Sequence, residues 1–135
     1  MPASPKYVER KAQDFYETPY WVTRVLLDNF TPVSKPRILE PCAGMGAISR
    51  EIQTRWPDVI LHQVEIQKNE EFLKLYGDVT IADFLSDDVD TILRVFDPQY
   101  IITNPPFSLA QPFIEKCLTV LKPTITFMLL PLSFL

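Results

Sequence analysis

The sequence predicts a single α/β domain in which a parallel β-sheet carries helices on both faces. Three observations lead there. Five short β-branched or apolar runs recur along the chain, each ended by a polar residue or a proline. Helix-spaced apolar residues lie between those runs, so strand and helix alternate throughout. At 135 residues the chain is long enough to bury a core, yet too short for a catalytic domain plus a separate recognition domain.

Taken in order, residues 1–13 are expected to form a mobile tail, and 14–135 the folded domain. Thr18-Pro19 predicts a helix start, with Thr18 as N-cap and Pro19 at the first helical position. Val22, Val25, Leu26 and Phe30 follow at helical spacing, and Tyr16 and Trp21 are expected to pack under that helix, the alternative being that they pack around a bound ligand. The predicted strands are Arg37–Glu40, Val59–Glu65, Val79–Ala82, Tyr100–Thr103 and Ile125–Leu130. Between them, predicted helical faces are Ile48 with Ile52; Phe72, Leu75 and Tyr76; Ile92, Val95 and Phe96; and Phe113, Cys117 and Leu121. The last run is apolar on both alternating faces, as a buried strand would be, yet the sequence stops five residues later. A flat apolar edge is normally avoided, so the sequence predicts a partial sheet, or an edge covered by a second copy or a partner chain.

Composition narrows the class. With 47% hydrophobic and 22% charged residues the chain reads as globular rather than disordered. Its net charge of −4, without a Lys/Arg-rich run, means any phosphate-neutralising surface is local or lies in other polypeptide. Cys42 and Cys117 form no C-x-x-C pair, so neither a disulfide framework nor a zinc site is expected, and a reducing cytoplasm is the default. No signal-like apolar stretch opens the chain, and the run Ile125–Leu135 is broken by Pro131, so no membrane association is expected.

Three clusters carry chemistry. Glu40-Pro41-Cys42-Ala43-Gly44-Met45-Gly46 lies between a strand and a helix, where Gly44 and Gly46 permit a tight turn and close backbone approach to a ligand. A ligand-free glycine turn is the plain alternative. Glu65, at the second strand's end, is placed to accept hydrogen bonds from two ribose hydroxyls, or is simply a solvated acid. Asp83 with Phe84 repeats the arrangement after the third strand: a carboxylate to bind an adenine amine beside a ring to pack on it, or a turn former. Asn104-Pro105-Pro106-Phe107 follows the fourth strand. Two prolines stiffen the backbone and donate nothing, so the Pro105 carbonyl and the Asn104 side-chain oxygen form a pair of acceptors for one exocyclic amine. Phe107 offers a surface for base stacking. His62, inside a strand, reads as a core or face residue rather than a catalytic one.

Together these motifs resemble the S-adenosylmethionine-dependent amino-methyltransferases, particularly the branch that methylates adenine N6 in DNA. The resemblance runs over about residues 14–135, and Asp14-Phe15-Tyr16-Glu17-Thr18-Pro19 resembles a cofactor-contacting motif of phage and restriction-modification members. It implies a Rossmann-like methyltransferase fold lacking its last strands. It implies that Thr18, Pro19, the loop Glu40, Pro41, Cys42, Ala43, Gly44 and Gly46, and also Asn104 line the cofactor. It places Glu65 on the ribose, Ile66 against the adenine ring, and Asp83 with Phe84 at the adenine amine. Asn104, Pro105, Pro106 and Phe107 would hold the target base, with S-adenosyl-L-methionine as cofactor, no metal, and DNA as the expected partner. Adenine in RNA, cytosine N4 in DNA, a protein glutamine, and a non-catalytic cofactor-binding subunit remain as alternatives. The family often has a glycine where Cys42 stands, and no target-recognition segment is visible.

Overall fold

A computed structural model of the protein describes residues 17–130 and residue 133; the expected tail and the segment Asp14-Phe15-Tyr16 lie outside them. Helix α1 spans Tyr20–Asp28 and leads to β1, Arg37–Glu40. Then come α2 (Ala47–Arg55), β2 (Ile60–Glu65), a single turn α3 (Glu70–Leu73) and β3 (Asp78–Ile81). Helix α4 (Asp90–Phe96), β4 (Tyr100–Thr103), α5 (Ala110–Lys116), a π-helical turn Cys117–Leu121 and β5 (Ile125–Met128) complete the order.

All pairings are parallel, in the order β3-β2-β1-β4-β5. The sequence order reverses at β1, which has β2 on one side and β4 on the other. In open parallel sheets that reversal opens a crevice at the strands' carboxyl ends, where ligands bind. Glu40 and Thr103 end the two strands that flank it.

Strand alternation divides the core between the two faces. Leu39, Val64 and Ile101 pack with Phe84, Leu93, Phe113 and Cys117 from the α4–α5 side. Ile38, Leu61, Tyr100 and Ile102 pack with Leu27, Ile48 and Ile52 from α1 and α2. The expected α/β architecture with helices on both faces is therefore present. No helix among the described residues is long and apolar enough to cross a membrane.

Several local expectations are corrected. Helix α1 begins at Tyr20 with Pro19 as its N-cap, and Thr18 caps nothing. Trp21 is 60% exposed and Val25 56%, while Thr23 and Leu27 are the buried positions of that helix. Around α3 the buried residue is Leu73 rather than Phe72 or Leu75, and in α4 it is Leu93 rather than Ile92 or Val95. One or two turns are too short for periodicity to select a face, so the tertiary contact decides. Strand β5 is an edge of the described sheet and ends at Met128 rather than Leu130.

Candidate cofactor and amine-binding site

The β1–α2 loop is shaped by backbone conformations that favour glycine. Gly44 has φ of 57° and Gly46 of 88°, the latter as the N-cap of α2. A Cβ on Gly46 would lie 2.7 Å from the Tyr76 ring, so the packing of that aromatic by itself requires a glycine here. Pro41 and Ala43 are buried, and the Ala43 N–H donates to the Val64 carbonyl at 3.0 Å. Cys42 is half-buried and, like Ile66, packs against the α4–α5 core cluster.

Two carboxylates stand under this loop. Glu65 is 1% exposed; its Oε1 accepts the Gly44 N–H and its Oε2 the Gln67 N–H, each at 2.9 Å. It thus clamps the loop after β1 to the loop after β2. Glu40 is equally buried, and its Oε1 accepts the Thr103 hydroxyl at 3.0 Å and the Cys42 N–H at 3.2 Å. Its Oε2 is buried without a hydrogen-bond partner among the described residues. Burial pushes the Glu40 carboxyl well above the usual carboxylate range, against the opposing hydrogen bonds from Thr103 and Cys42. A buried acid with an unsatisfied oxygen at the ligand end of β1 suits a cationic group.

The loop after β3 is held from an unexpected direction. Asp83 is buried and its Oδ1 accepts the Leu85 N–H at 2.9 Å. Phe84, expected to present its ring to a ligand, is 2% exposed in the core, 5.0 Å from the Phe113 ring. Lys116, which the sequence did not single out, lies over the Phe84 ring and donates to the carbonyls of Phe84 and Ser86. Its ammonium also pairs with Asp90 at 2.6 Å. A lysine whose partners are backbone carbonyls leaves no sequence signature.

After β4, Asn104 Nδ2 donates to Thr18 Oγ1 at 2.9 Å, joining residues 86 positions apart. Thr18 is buried, so the chain ahead of α1 runs against the Asn104 loop. Pro105 and Pro106 are buried and Phe107 is half-buried at the start of a 3-10 turn, Phe107–Leu109. The Pro106 carbonyl accepts the Leu109 N–H at 2.9 Å. An apolar cavity of about 170 Å³ adjoins this contact, walled by Thr18, Val22, Leu26, Thr103 and Phe127. Thr103 and Asn104 therefore anchor the same strand end twice, to Glu40 and to Thr18.

His62 is set apart from these loops. It is buried in β2, 2.8 Å from Thr80 Oγ1, and burial lowers its pKa, which agrees with a structural role. Among the described residues no group of His, Cys, Asp and Glu is arranged to hold a metal ion.

No family model and no curated protein matches the chain. Solved structures do resemble it. The 23S rRNA methyltransferase ErmE superposes with a TM-score of 0.66 at 20% identity, over 89% of this chain and 49% of that one. TrmN from Thermus thermophilus superposes with a TM-score of 0.58 at 18% identity, over 86% of this chain and 36% of that one. The chain thus spans half or less of the length of these two proteins. At this identity the likeness concerns the fold, which is a Rossmann-like methyltransferase fold present in part, with five parallel strands.

Proposed function

We propose that this chain binds S-adenosylmethionine and transfers its methyl group to an exocyclic amine, N6 of adenine in DNA. The observation that carries the reading is the Asn104 loop, anchored at the carboxyl end of β4 beside the buried carboxylates of β1 and β2. With its nitrogen directed to Thr18, the Asn104 amide has its oxygen as an acceptor, and the Pro105 carbonyl is a second one. Two acceptors on one amine orient its lone pair toward the cofactor side, so catalysis is positioning and electrostatics rather than covalent chemistry. Phe107 stacks on the base once it has left the duplex.

The residues at the crevice fit the cofactor. Glu40, with its unsatisfied Oε2, suits the ammonium of the methionine portion. Glu65 holds the loop, and a carboxylate at that strand end is of the type that accepts from ribose hydroxyls. Asp83, whose Oδ1 is taken by the Leu85 N–H, would accept from the adenine amine, and Ile66 would lie against the ring. The bound cofactor supplies an electrophilic methyl sulfonium; the chain's own residues orient the acceptor and exclude water.

One observation favours RNA as the second reading: one structural neighbour is named as a methyltransferase of 23S rRNA. Labelled-methyl transfer to DNA, RNA and protein, assayed in parallel, separates these substrates. Asn104→Ala is expected to lower transfer by a hundredfold or more, on the order of the loss of a key transition-state contact, while cofactor binding persists. Parent-level transfer by that variant would sink the assignment.

A further inference from the structure

Lys116 is 8% exposed, a rare situation for a lysine. Its ammonium donates to Phe84 O at 2.5 Å and Ser86 O at 2.8 Å, and pairs electrostatically with an Asp90 carboxylate oxygen at 2.6 Å. A methionine would fill the same space without burying a charge. The charge acts on the two carbonyls, which belong to the turn immediately after Asp83. The Asp83 carbonyl accepts the Ser86 N–H at 3.0 Å, and its Oδ1 accepts the Leu85 N–H at 2.9 Å. Lys116 thus grips from outside a turn that Asp83 ties from within. It is the last residue of α5, the helix that follows the Asn104–Phe107 loop, and its side chain reaches the loop after β3.

We propose that Lys116 is a positioning residue for cofactor selection: by holding the carbonyls of Phe84 and Ser86, it fixes the Asp83 carboxylate where that group reads the exocyclic amine of the cofactor's purine. The proposal rests on the cofactor reading above and assigns what makes that site choose adenine. A carboxylate accepts from an exocyclic amine and repels an exocyclic carbonyl oxygen, but only while it is held in the plane of the base. A loop free to shift would still bind the sugar and methionine portions, yet lose the distinction between bases.

The experiment is titration calorimetry with the full chain. S-adenosylmethionine is compared with its analogue in which the purine amine is replaced by an oxo group. The parent is expected to prefer the amine by about a hundredfold or more. Lys116→Met should reduce that preference at least about tenfold while its affinity for the oxo analogue changes little. Lys116→Met combined with Asp90→Asn removes both charges, so the effect is read in a variant that leaves no unpaired buried carboxylate. Asp83→Asn should lose the preference as well.

Equal loss of affinity for both cofactors in the Lys116 variants would mark a structural role and overturn the proposal. So would a preserved preference in those variants when Asp83→Asn abolishes it. A parent that binds neither cofactor would overturn the cofactor reading itself, and this inference with it.

Discussion

The carboxylates that end β1 and β2 are the same residue type, equally buried, and one strand apart, yet the fold treats them oppositely. Glu65 has a loop amide on each oxygen, Gly44 on one and Gln67 on the other. Glu40 has two donors on a single oxygen and none on the second. A buried charge is tolerated when its lone pairs are met, and an unmet one raises the energy of the ionised form. The first acid therefore works as a structural clamp, and the second is held short of a partner that a ligand can supply. Functional sites concentrate such unmet demands because what destabilises the empty protein strengthens binding.

The largest test of this contrast is Glu65→Ala. Two loop N–H groups lose a charged acceptor, so unfolding by urea should show a loss of about 3 kcal/mol. A loss near zero would remove the clamp from the comparison. Glu40→Gln should do the reverse, leaving urea stability at or above the parent's while weakening S-adenosylmethionine binding about tenfold by calorimetry.

The pH dependence follows from the raised Glu40 pKa. The folded state holds its proton more tightly than the unfolded chain, so this group's stability contribution is complete below the unfolded pKa. It is lost as pH rises through the folded one. Binding of a cation needs the ionised form, so cofactor affinity should rise over the same window in which stability falls. Glu40→Gln should flatten both curves, and a parent whose affinity is level across that window would break the account.

The smallest effect belongs to Thr18→Val, which keeps the shape and removes the acceptor of the Asn104 amide. Its kcat should fall between about twofold and tenfold, as the net loss of one hydrogen bond, with the cofactor KM little changed. Thr18→Ser should restore it. A shift confined to KM would instead make Thr18 a cofactor contact.

Much of this molecule is legible in its sequence where the signal is local. β1 and β4 run over the expected residues, Arg37–Glu40 and Tyr100–Thr103, since each is a short apolar run closed by a polar residue or proline. The Phe113, Cys117 and Leu121 face is also as expected, all three being buried. Legibility fails where a partner distant in sequence decides. Thr18 has the residue type of an N-cap, but its hydroxyl goes to Asn104. Phe84 looks like a stacking surface, but Phe113 and Lys116 enclose it. Gly46 also makes room for the Tyr76 ring, a contact that the local sequence does not announce. The candidate site residues stand out in the sequence because strand ends mark them, whereas the contacts of Lys116 do not, because backbone carbonyls have no identity in a sequence.

The two tryptophans occupy contrasting surroundings, which gives the protein two built-in optical reporters. Trp56 is half-buried, with its indole edge-on to Phe30 at 5.6 Å between centroids. Trp21 is 60% exposed and three residues from the threonine that meets Asn104. Emission from Trp21 falls at longer wavelength and is open to collisional quenchers, while Trp56 reports the packing of α2 on the sheet. A single-tryptophan pair, Trp21→Phe and Trp56→Phe, therefore separates events at the mouth of the site from unfolding of the domain.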